Sequence, residues 1–322
     1  MFKSDVLCVG SATVDNMLTM GQPFSSLKLG DKVLVKSTKT HTGGGATNSA
    51  CALAKLGLKV KILTKLGDDH NAELILKELK QNHILNVCSC RSKKNTDTAT
   101  IISSTKEKDR LILVHKGAST EISLCSHHKQ NFRVKWIYLA SLMGHSFSTA
   151  KEIARQAQHK KINLLFNPSL YLAQKGRNYL APVLRATTIL VLNKEEMQSL
   201  LNTKEKESFS LLQKAKSLGP KTIVITDGPK KMVAWHENKI YSLIPPDVPI
   251  VHTTGAGDAF TSGLLYGLIK NYKFEDALRL GQVNSSSVIQ HYGAKKGLLN
   301  EKQALNLMKR SKIKVIIKNI DV

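Results

Sequence analysis

Short apolar runs alternate with segments of helical periodicity along most of this 322-residue chain. Runs of this length and composition are typical of strands buried on both faces of a sheet. Because strands that alternate with helices build parallel βαβ units, the pattern predicts an α/β fold with a doubly wound, mostly parallel sheet and helices on both faces. The predicted strands are Val60–Leu63, Lys135–Leu139, Asn163–Phe166, Thr188–Leu192 and Lys221–Thr226, and the predicted helices are Ala46–Leu56, Asn71–Gln81, Ala150–His159 and Leu211–Leu218.

Two stretches break this alternation, residues 13–42 and 95–116, which are rich in turns and poor in helix signals. Within the second, Asp97–Ile102 and Arg110–Val114 have the pattern of a β-hairpin. We therefore expect a single domain over residues 1–322, in which the two stretches form one small β-sheet outside the main layer. A sheet in that position can serve as a lid over a site.

Composition excludes several classes of protein. The apolar runs are too short to span a bilayer, and residues 1–10 are typical of a first strand rather than of a signal peptide. The five cysteines are scattered, which favours a reducing cytoplasm over a disulfide framework. Cys88 and Cys90 are closely spaced, but no second pair with ligand spacing accompanies them, so we expect no zinc site there.

The net charge of +24 raises the question of a nucleic-acid partner. The basic residues are spread over the whole chain, and aromatic residues make up only 5% of it. A surface that stacks nucleic-acid bases needs basic and aromatic side chains interleaved in one segment. The sequence therefore argues against nucleic-acid binding as the main role, and it fits attraction of small anionic substrates.

The segment Thr253–Phe260 reads Thr-Thr-Gly-Ala-Gly-Asp-Ala-Phe and precedes the apolar run Gly263–Ile269. If that run is a buried helix, the glycine turn opens it. The first amides of a helix have no partner within the helix, and small residues let a phosphate approach them. Asp258 beside such an anion site is either a helix cap or a group that takes a proton from an attacking hydroxyl.

A second glycine-rich segment runs from Thr42 to Ala50, with Gly57 and Gly67 following it. Together with Gly255-Ala256-Gly257-Asp258, it resembles the two signatures of the ribokinase-like (PfkB) carbohydrate kinases. Both occur in the order and at the separation of that family, and the resemblance covers nearly the whole chain. It implies a ribokinase-like fold and transfer of the γ-phosphoryl group of ATP to a sugar hydroxyl.

The resemblance also implies roles for individual residues. Asp258 is the expected general base, and the backbone amides of Ala256, Gly257 and Asp258 are the expected anion hole. Gly255 belongs to the same catalytic turn. Asn193 and Glu196 match a motif that organises Mg²⁺ through water. The remaining expected contacts are Asp15, Gly43, Gly44, Asn48 and Ser141 with the sugar, Thr226 and Gly228 with the nucleotide phosphates, and Gln282 with the base or ribose.

The chain departs from ribokinases in several positions. His252 stands where an acid helps to bind potassium, and Gly297 replaces a hydroxyl side chain, so both changes weigh against a monovalent-cation site. Gly45 replaces a lysine of the first signature, and Ser141 replaces an acid that contacts the sugar. The acceptor expected from these changes is another sugar, a sugar phosphate or a nucleoside. A homodimer formed through the lid is also consistent with the resemblance.

Two other interpretations remain open. A nucleoside kinase of the same family would need an apolar pocket for the base, for which Met17, Met20, Phe24 and Met143 are candidates. A non-catalytic sugar sensor or nucleic-acid-associated regulator would share the fold, because fold alone does not determine function. The second interpretation predicts a lost Asp258 or a broken glycine turn, and the sequence has neither.

Overall fold

The computed structural model describes residues 4–87, 91–107, 110–124 and 132–319. The strands in chain order are β1 Ser4–Val9, β2 Thr13–Met20, β3 Val35–Gly43, β4 Val60–Leu63, β5 Leu85–Asn86, β6 Asp97–Ser104, β7 Arg110–His115, β8 Val134–Ala140, β9 Asn163–Asn167, β10 Ile189–Asn193, β11 Thr222–Thr226, β12 Met232–His236, β13 Lys239–Leu243 and β14 Val315–Asn319. The helices are α1 Gly45–Lys55, α2 His70–Gln81, α3 Ser146–His159, α4 Leu170–Ala173, α5 Gly176–Leu184, α6 Lys194–Leu201, α7 Ser208–Ala215, α8 Ala256–Ile269, α9 Phe274–Val288 and α10 Glu301–Arg310.

The main sheet has ten strands in the order β14-β13-β12-β11-β10-β9-β8-β1-β4-β5. The strands from β5 to β11 run parallel, and β12, β13 and β14 continue the sheet in antiparallel fashion. This arrangement confirms the predicted doubly wound, mostly parallel sheet. Since parallel strands end at the same edge, the loops after β1, β8, β9, β10 and β11 converge there.

Each face of the main sheet is covered by helices. One apolar core lies between the sheet and α1, α2, α8, α9 and α10, and a second lies between the opposite face and α3, α5, α6 and α7. Neighbouring residues of β1 show the division, because Cys8 belongs to the first core and Leu7 to the second. α8 is apolar on nearly all sides and is buried from Ala259 to Gly267, which fixes the position of its N-terminus.

The second sheet has four strands in the order β3-β2-β6-β7. β2 pairs antiparallel with β3 and parallel with β6, and β6 and β7 form the predicted hairpin. The two irregular stretches of the sequence therefore do meet in one small sheet. β7 is an edge strand, and the side chains of its six residues are exposed.

The predicted elements are all present, with differences at their ends. α3 begins four residues before the predicted start at Ala150, and α7 ends at Ala215, where a 3-10 turn continues to Leu218. The pattern did not predict β12, β13 and β14, which are short antiparallel strands, and β14 has little burial to give it a strand signature. Cys88, Cys90, Cys125 and the adjacent pair His127 and His128 lie outside the described residues.

Among the described residues, no helix combines the length and apolar character needed to cross a bilayer. The helices α8 and α9 have many buried residues, and the apolar side chains among them belong to the first core. The burial of these two helices is therefore accounted for by packing within the fold.

Candidate active site

A cavity of about 380 Å³ lies at the edge of the main sheet where the parallel strands end. Its walls include residues at or just after the ends of β1, β8, β9, β10 and β11, and the start of α8 closes one side. Val114 of β7 and Lys116 just after it close the cavity from the second sheet. The small sheet therefore contributes to the wall of the cavity, as expected of a lid.

The glycine turn begins α8 in the way that the sequence predicts. Gly255 is the N-cap residue with a left-handed φ of 82°. A Cβ atom on Gly255 would lie 2.6 Å from the backbone of Ala294, so neither the conformation nor the space admits a side chain. The turn and the loop after α9 are thereby held in direct contact.

The amides of Gly257 and Asp258 are the free donors of this helix start. The Ala256 amide donates to the Thr253 carbonyl at 3.3 Å, whereas no described residue accepts from the amides of Gly257 and Asp258. The position of a Cβ on Gly257 has no heavy atom within 4 Å. Two unpaired amides at the positive end of a helix, with open space in front, are suited to bind an anion.

Asp258 lies in the first turn of α8 and faces the cavity. The Nδ2 atom of Asn48 donates to its Oδ2 at 2.8 Å. Burial raises the pKa of Asp258 to about 6, against the smaller lowering effects of the Asn48 hydrogen bond and the Lys295 charge. A carboxylate with a pKa near 6 is a better proton acceptor at neutral pH than an ordinary aspartate.

Asn48 is positioned by the first glycine-rich segment. Gly44 caps α1 with a φ of 95°, and a Cβ there would lie 2.5 Å from the Ser11 carbonyl oxygen. This close approach brings the first turn of α1 against the loop after β1. The Oδ1 atom of Asn48 is buried and has no partner among the described residues, which leaves an acceptor available beside Asp258.

Lys295 links three parts of the fold near Asp258. Its ammonium donates to Thr42 Oγ1 at 2.8 Å and pairs with Glu78 of α2, while only 12% of its side chain is exposed. It follows the Gly293-Ala294 segment that packs on Gly255. The positive charge lowers the pKa values of both Asp15 and Asp258, so it favours their ionised forms.

Asn193 and Glu196 lie where β10 ends and α6 begins, and both line the cavity. They form a capping box, in which each side chain accepts from the other residue's amide, at 2.8 and 2.9 Å. Burial, and to a lesser degree the Asp258 charge, raise the pKa of Glu196 to about 7 against the opposing Asn193 hydrogen bond. A carboxylate in this condition gains from a nearby cation.

Asn193 and Glu196 fit a Mg²⁺ ion whose other ligands are water and substrate phosphates. Among the described residues, no group of three or more histidine, cysteine, aspartate or glutamate side chains is placed to hold a metal. Mg²⁺ is commonly bound by one or two carboxylates together with water and substrate phosphates. Glu196 and the Asn193 side chain offer oxygen atoms of that kind at the cavity wall.

Asp15, Gly43 and Gly44 lie together at the junction of the second sheet with the main sheet. Thr13 Oγ1 donates to Asp15 at 3.0 Å, and a Cβ on Gly43 would lie 2.3 Å from the Asp15 carboxylate. Burial raises the pKa of Asp15, opposed by the Thr13 bond and by the charges of Lys295, His41 and Lys116. None of the three residues lines the 380 Å³ cavity, which places them beside it.

The predicted nucleotide contacts divide into two groups. Thr226 lines the cavity at the end of β11, and Gly228 lies in the exposed turn that follows, with a φ of 55°. Gln282 is buried within α9, where its Nε2 donates to Ser286 Oγ at 3.0 Å, and it does not line the cavity. The structure brings Thr226 toward Asp258 and leaves Gln282 apart from it.

Ser141, the remaining predicted sugar contact, lines the cavity just after β8. Its Oγ lies 2.7 Å from Ser169 Oγ and accepts from the Ser169 amide at 2.7 Å. Of the four candidates for an apolar base pocket, only Met143 lines the cavity. Met20 is 3% exposed and belongs to the packing of the second sheet.

Sequence reasoning missed three contributors to the site, Lys116, Ser169 and Lys295. Lys116 and Lys295 each stand next to a Gly-Ala pair, Gly117-Ala118 and Gly293-Ala294, which is a weak signal for a tight loop. Their partners are distant in sequence, and Lys295 is 253 residues from Thr42. Ser169 follows Asn167-Pro168 at the end of β9, where the rule for parallel sheets favours a ligand contact.

Replacing Asp258 by asparagine is expected to stabilise the fold at alkaline pH. A carboxyl whose pKa rises from 3.8 to about 6 on folding loses about 3 kcal/mol of stability as pH passes through that range, because the folded state must then hold a buried charge. Urea unfolding should show that Asp258→Asn raises the free energy of unfolding, and that this increase is about 1 kcal/mol larger at pH 8 than at pH 5. Asp247→Asn, at an exposed loop position, is the control, and an equal gain at both pH values would contradict the prediction.

Comparison with known proteins places this geometry in a family. Residues 3–301 match the model of the pfkB family carbohydrate kinases. A ribokinase from Bacillus subtilis is 27% identical over 308 residues, which cover 94% of this chain and 99% of the relative. A nucleoside kinase from Methanocaldococcus jannaschii is 24% identical over 304 residues, covering 91% and 93%.

The fold agrees with solved structures as well. Arabidopsis thaliana ribokinase, in complex with ribose and ATP, superposes with a TM-score of 0.82 at 21% identity, over 96% of this chain and 99% of that one. The ribokinase-like fold expected from the two glycine-rich segments is confirmed. The chain belongs to the pfkB family of carbohydrate kinases and is a phosphotransferase.

Proposed function

We propose that the protein transfers the γ-phosphoryl group of ATP to a hydroxyl of a sugar or sugar-containing small molecule, with Asp258 as the general base. The observation that carries the proposal is the start of α8, where a carboxylate of raised pKa stands next to two unpaired amides. A base and an anion site within one helical turn are what an attacking hydroxyl and a transferred phosphoryl group need together.

In the proposed step the acceptor hydroxyl loses its proton to the Asp258 carboxylate as its oxygen bonds to the γ-phosphorus. The bond from that phosphorus to the bridging oxygen breaks, and ADP leaves. The amides of Gly257 and Asp258 donate to the oxygen atoms of the phosphoryl group as charge develops on them. Asn48 holds the Asp258 carboxylate in place through the bond to Oδ2, so Oδ1 remains free for the proton.

Mg²⁺ is proposed to bind through water near Glu196 and Asn193, where it would neutralise charge on the phosphates. The chain's own contribution is to hold the Glu196 carboxylate at the cavity wall by the capping box, where a bound cation would favour its ionised form. Lys194 pairs with Asp227 at 3.1 Å and joins the start of α6 to the turn after β11. Thr226 and Gly228 of that turn are the proposed contacts for the nucleotide phosphates.

Asp15, Asn48, Gly43 and Gly44 are proposed to bind the acceptor. The support is the buried, unpartnered Oδ1 of Asn48, which can accept from an acceptor hydroxyl next to Asp258. The lid strands β2 and β3 carry Asp15 and Gly43, so closure of the lid would also exclude water that competes for the phosphoryl group. Gln282 keeps only a proposed role in binding the nucleotide, since its side chain is buried in α9.

A nucleoside acceptor is the alternative within the family. Met143 and the half-exposed Tyr171 at the cavity wall favour it, because both can pack against a base. The remaining proposals are a single domain, a cytoplasmic location and a homodimer through the lid. The exposed edge strand β7, which carries Leu111, Ile112, Leu113 and Val114 on its surface, supports the dimer.

Asp258→Asn is expected to lower kcat by a factor of about 10² to 10⁴, the range that a general base contributes. The amide oxygen of the variant side chain can still accept from Asn48, and the substitution leaves the amides of α8 in place, so ATP and acceptor affinities should change little. Steady-state kinetics and calorimetric titration of each substrate test this. Unchanged kcat would refute the role of Asp258, and loss of both binding and turnover would indicate a structural effect instead.

The pH dependence of kcat/KM should reflect the ionisation of two carboxylates, those of Asp258 and Glu196. With the pKa of Asp258 about 6 and that of Glu196 about 7, kcat/KM should fall as pH drops through this range. Lys295→Met removes a charge that lowers the pKa of Asp258, so the part of the acid limb due to Asp258 should move to higher pH. Lys296→Met, at an exposed neighbouring position, should leave the profile unchanged. Superimposable profiles for Lys295→Met and wild type would contradict this assignment.

Glu196→Gln is expected to raise the Mg²⁺ concentration needed for half-maximal rate by roughly 10-fold, because the variant keeps the shape of the capping box and loses the charge that favours the ion. Titration of the initial rate with Mg²⁺ at fixed ATP measures this. Glu195→Gln changes the exposed neighbour on the same turn and should show the wild-type titration. An unchanged requirement in Glu196→Gln would exclude the proposed role.

A further inference from the structure

Among the described residues that line the cavity, one carries a basic side chain, Lys116 of the lid. The acidic residues of the lining are Asp258 of α8 and Glu196 of α6, which the proposed function uses for the phosphoryl group and its cation. Neutral hydroxyl-bearing residues line the same cavity, among them Ser119, Thr120, Ser141 and Ser169. Lys116 and these hydroxyls offer a ligand in the cavity hydrogen-bond donors and a positive charge.

Lys116 is held in place by a buried carboxylate. Its Nζ lies 3.3 Å from Oδ2 of Asp97, whose side chain is fully buried. Asp97 also accepts from the amides of Gly117 and Ser119, at 3.0 and 3.1 Å, and from the Ser119 hydroxyl. Because these three donors already compensate much of the charge of Asp97, the ammonium of Lys116 keeps donors for a ligand on its cavity side.

The backbone around Lys116 is fixed as well. A Cβ on Gly117 would lie 2.0 Å from the Asn95 carbonyl oxygen, so the chain passes this point in close contact. Ser146 Oγ at the start of α3 donates to the Ser119 carbonyl at 2.7 Å and accepts from the Ile122 amide at 2.8 Å. α3 directly follows the segment that contains Ser141 and Met143, so the residues after Lys116 are tied to the Ser141 side of the cavity.

Ser141 and Ser169 add a second set of donors. Their hydroxyl groups are 2.7 Å apart, and Ser141 Oγ also accepts from the Ser169 amide. Since the bond between the two hydroxyls uses only one of their two protons, the other hydroxyl proton remains available to a ligand. Hydroxyl and ammonium donors in a partly enclosed cavity match an oxyanion better than they match another donor-rich group.

We infer that the acceptor carries an anionic group, a carboxylate or a phosphate, which is bound by Lys116 with the hydroxyls of Ser141 and Ser169. The inference rests on the proposed phosphoryl transfer and names the class of its acceptor as an acidic or phosphorylated sugar. Lys116 then determines specificity, because a neutral sugar would not gain the charge-assisted hydrogen bond that its ammonium offers to an anionic group. The carboxylates of Asp258 and Glu196 would repel the same group from the other part of the cavity, which orients the acceptor.

The test compares matched acceptors that differ in one group: a neutral hexose, the hexonic acid of the same skeleton, and a hexose phosphate with a free primary hydroxyl. Wild type should use one of the two anionic members with a kcat/KM at least about 10-fold above that of the neutral sugar. Lys116→Met should abolish that preference by raising KM for the anionic acceptor roughly 10- to 100-fold, and Lys116→Arg should restore part of it. The better of the two anionic acceptors distinguishes carboxylate from phosphate.

Lys32→Met is the matched control, because it removes the same charge from an exposed loop of the lid region and should leave the preference intact. A wild-type preference for the neutral sugar would overturn the inference. An equal fall in kcat/KM for all acceptors in Lys116→Met would also overturn the inference, since Lys116 would then act on the phosphoryl donor.

Ligand-induced thermal stabilisation decides the question independently of turnover. The anionic sugar should raise the Tm of the wild type more than the neutral sugar does, and it should lose this advantage in Lys116→Met. Equal stabilisation by both sugars would overturn the inference. If the anionic sugar stabilises the protein through Lys116 but no acceptor is phosphorylated, the binding site stands and the proposed function fails. If neutral sugars are phosphorylated in an Asp258-dependent way, the proposed function stands and the anionic acceptor fails.

Discussion

The hydrogen bond between Asn48 and Asp258 joins the two glycine-rich segments on which the site depends. One residue belongs to the first helix of the chain and the other to the eighth, 210 positions later. The bond forms only if Gly44 lets α1 approach the loop after β1 and Gly255 lets α8 begin against Ala294. Both glycines have φ values in the left-handed region, so side chains there would disturb the bond and the anion site together.

This arrangement has a cost that other parts of the structure offset. A carboxylate buried enough to have a pKa near 6 destabilises the fold when it ionises. The Asn48 bond and the partly buried charge of Lys295 reduce that penalty, and the Lys295–Glu78 pair connects it to α2. The same lysine contacts Thr42 at the end of the lid strand β3. Lys295 therefore both lowers the pKa of Asp258 and contacts the lid.

Much of the fold could be predicted because its signals are local. Period and turn residues indicated the parallel strands, the hairpin of the lid and the helix after Gly255. The short antiparallel strands β12, β13 and β14 were missed, and the edge strand β14 is mostly exposed, so it lacks the pattern of a buried strand. The family was recognisable from two short segments, and the match of residues 3–301 to the family model confirms it.

The site could be predicted only in part, for a physical reason. Asp258 directly follows the glycine turn in the sequence, so a proton acceptor beside an anion site could be predicted from that segment. Lys116 depends on Asp97 and Lys295 depends on Glu78, and such pairings through space leave no periodic signal. Asn193 and Glu196 are three residues apart, and this spacing alone indicates a capping box at a helix start. It does not indicate that both residues line the cavity. The roles of the individual site residues remain predictions that the kinetic variants address.

The most direct test of the account is acceptor-dependent release of ADP by the wild-type protein, with ATP and Mg²⁺, across sugars, sugar acids, sugar phosphates and nucleosides, with the product identified by ³¹P NMR. The account predicts release that requires an acceptor and yields a phosphate ester on one of its hydroxyls. Hydrolysis of ATP that no acceptor accelerates would contradict it, as would the absence of any release although acceptors raise the Tm. The latter result would favour the non-catalytic sugar sensor.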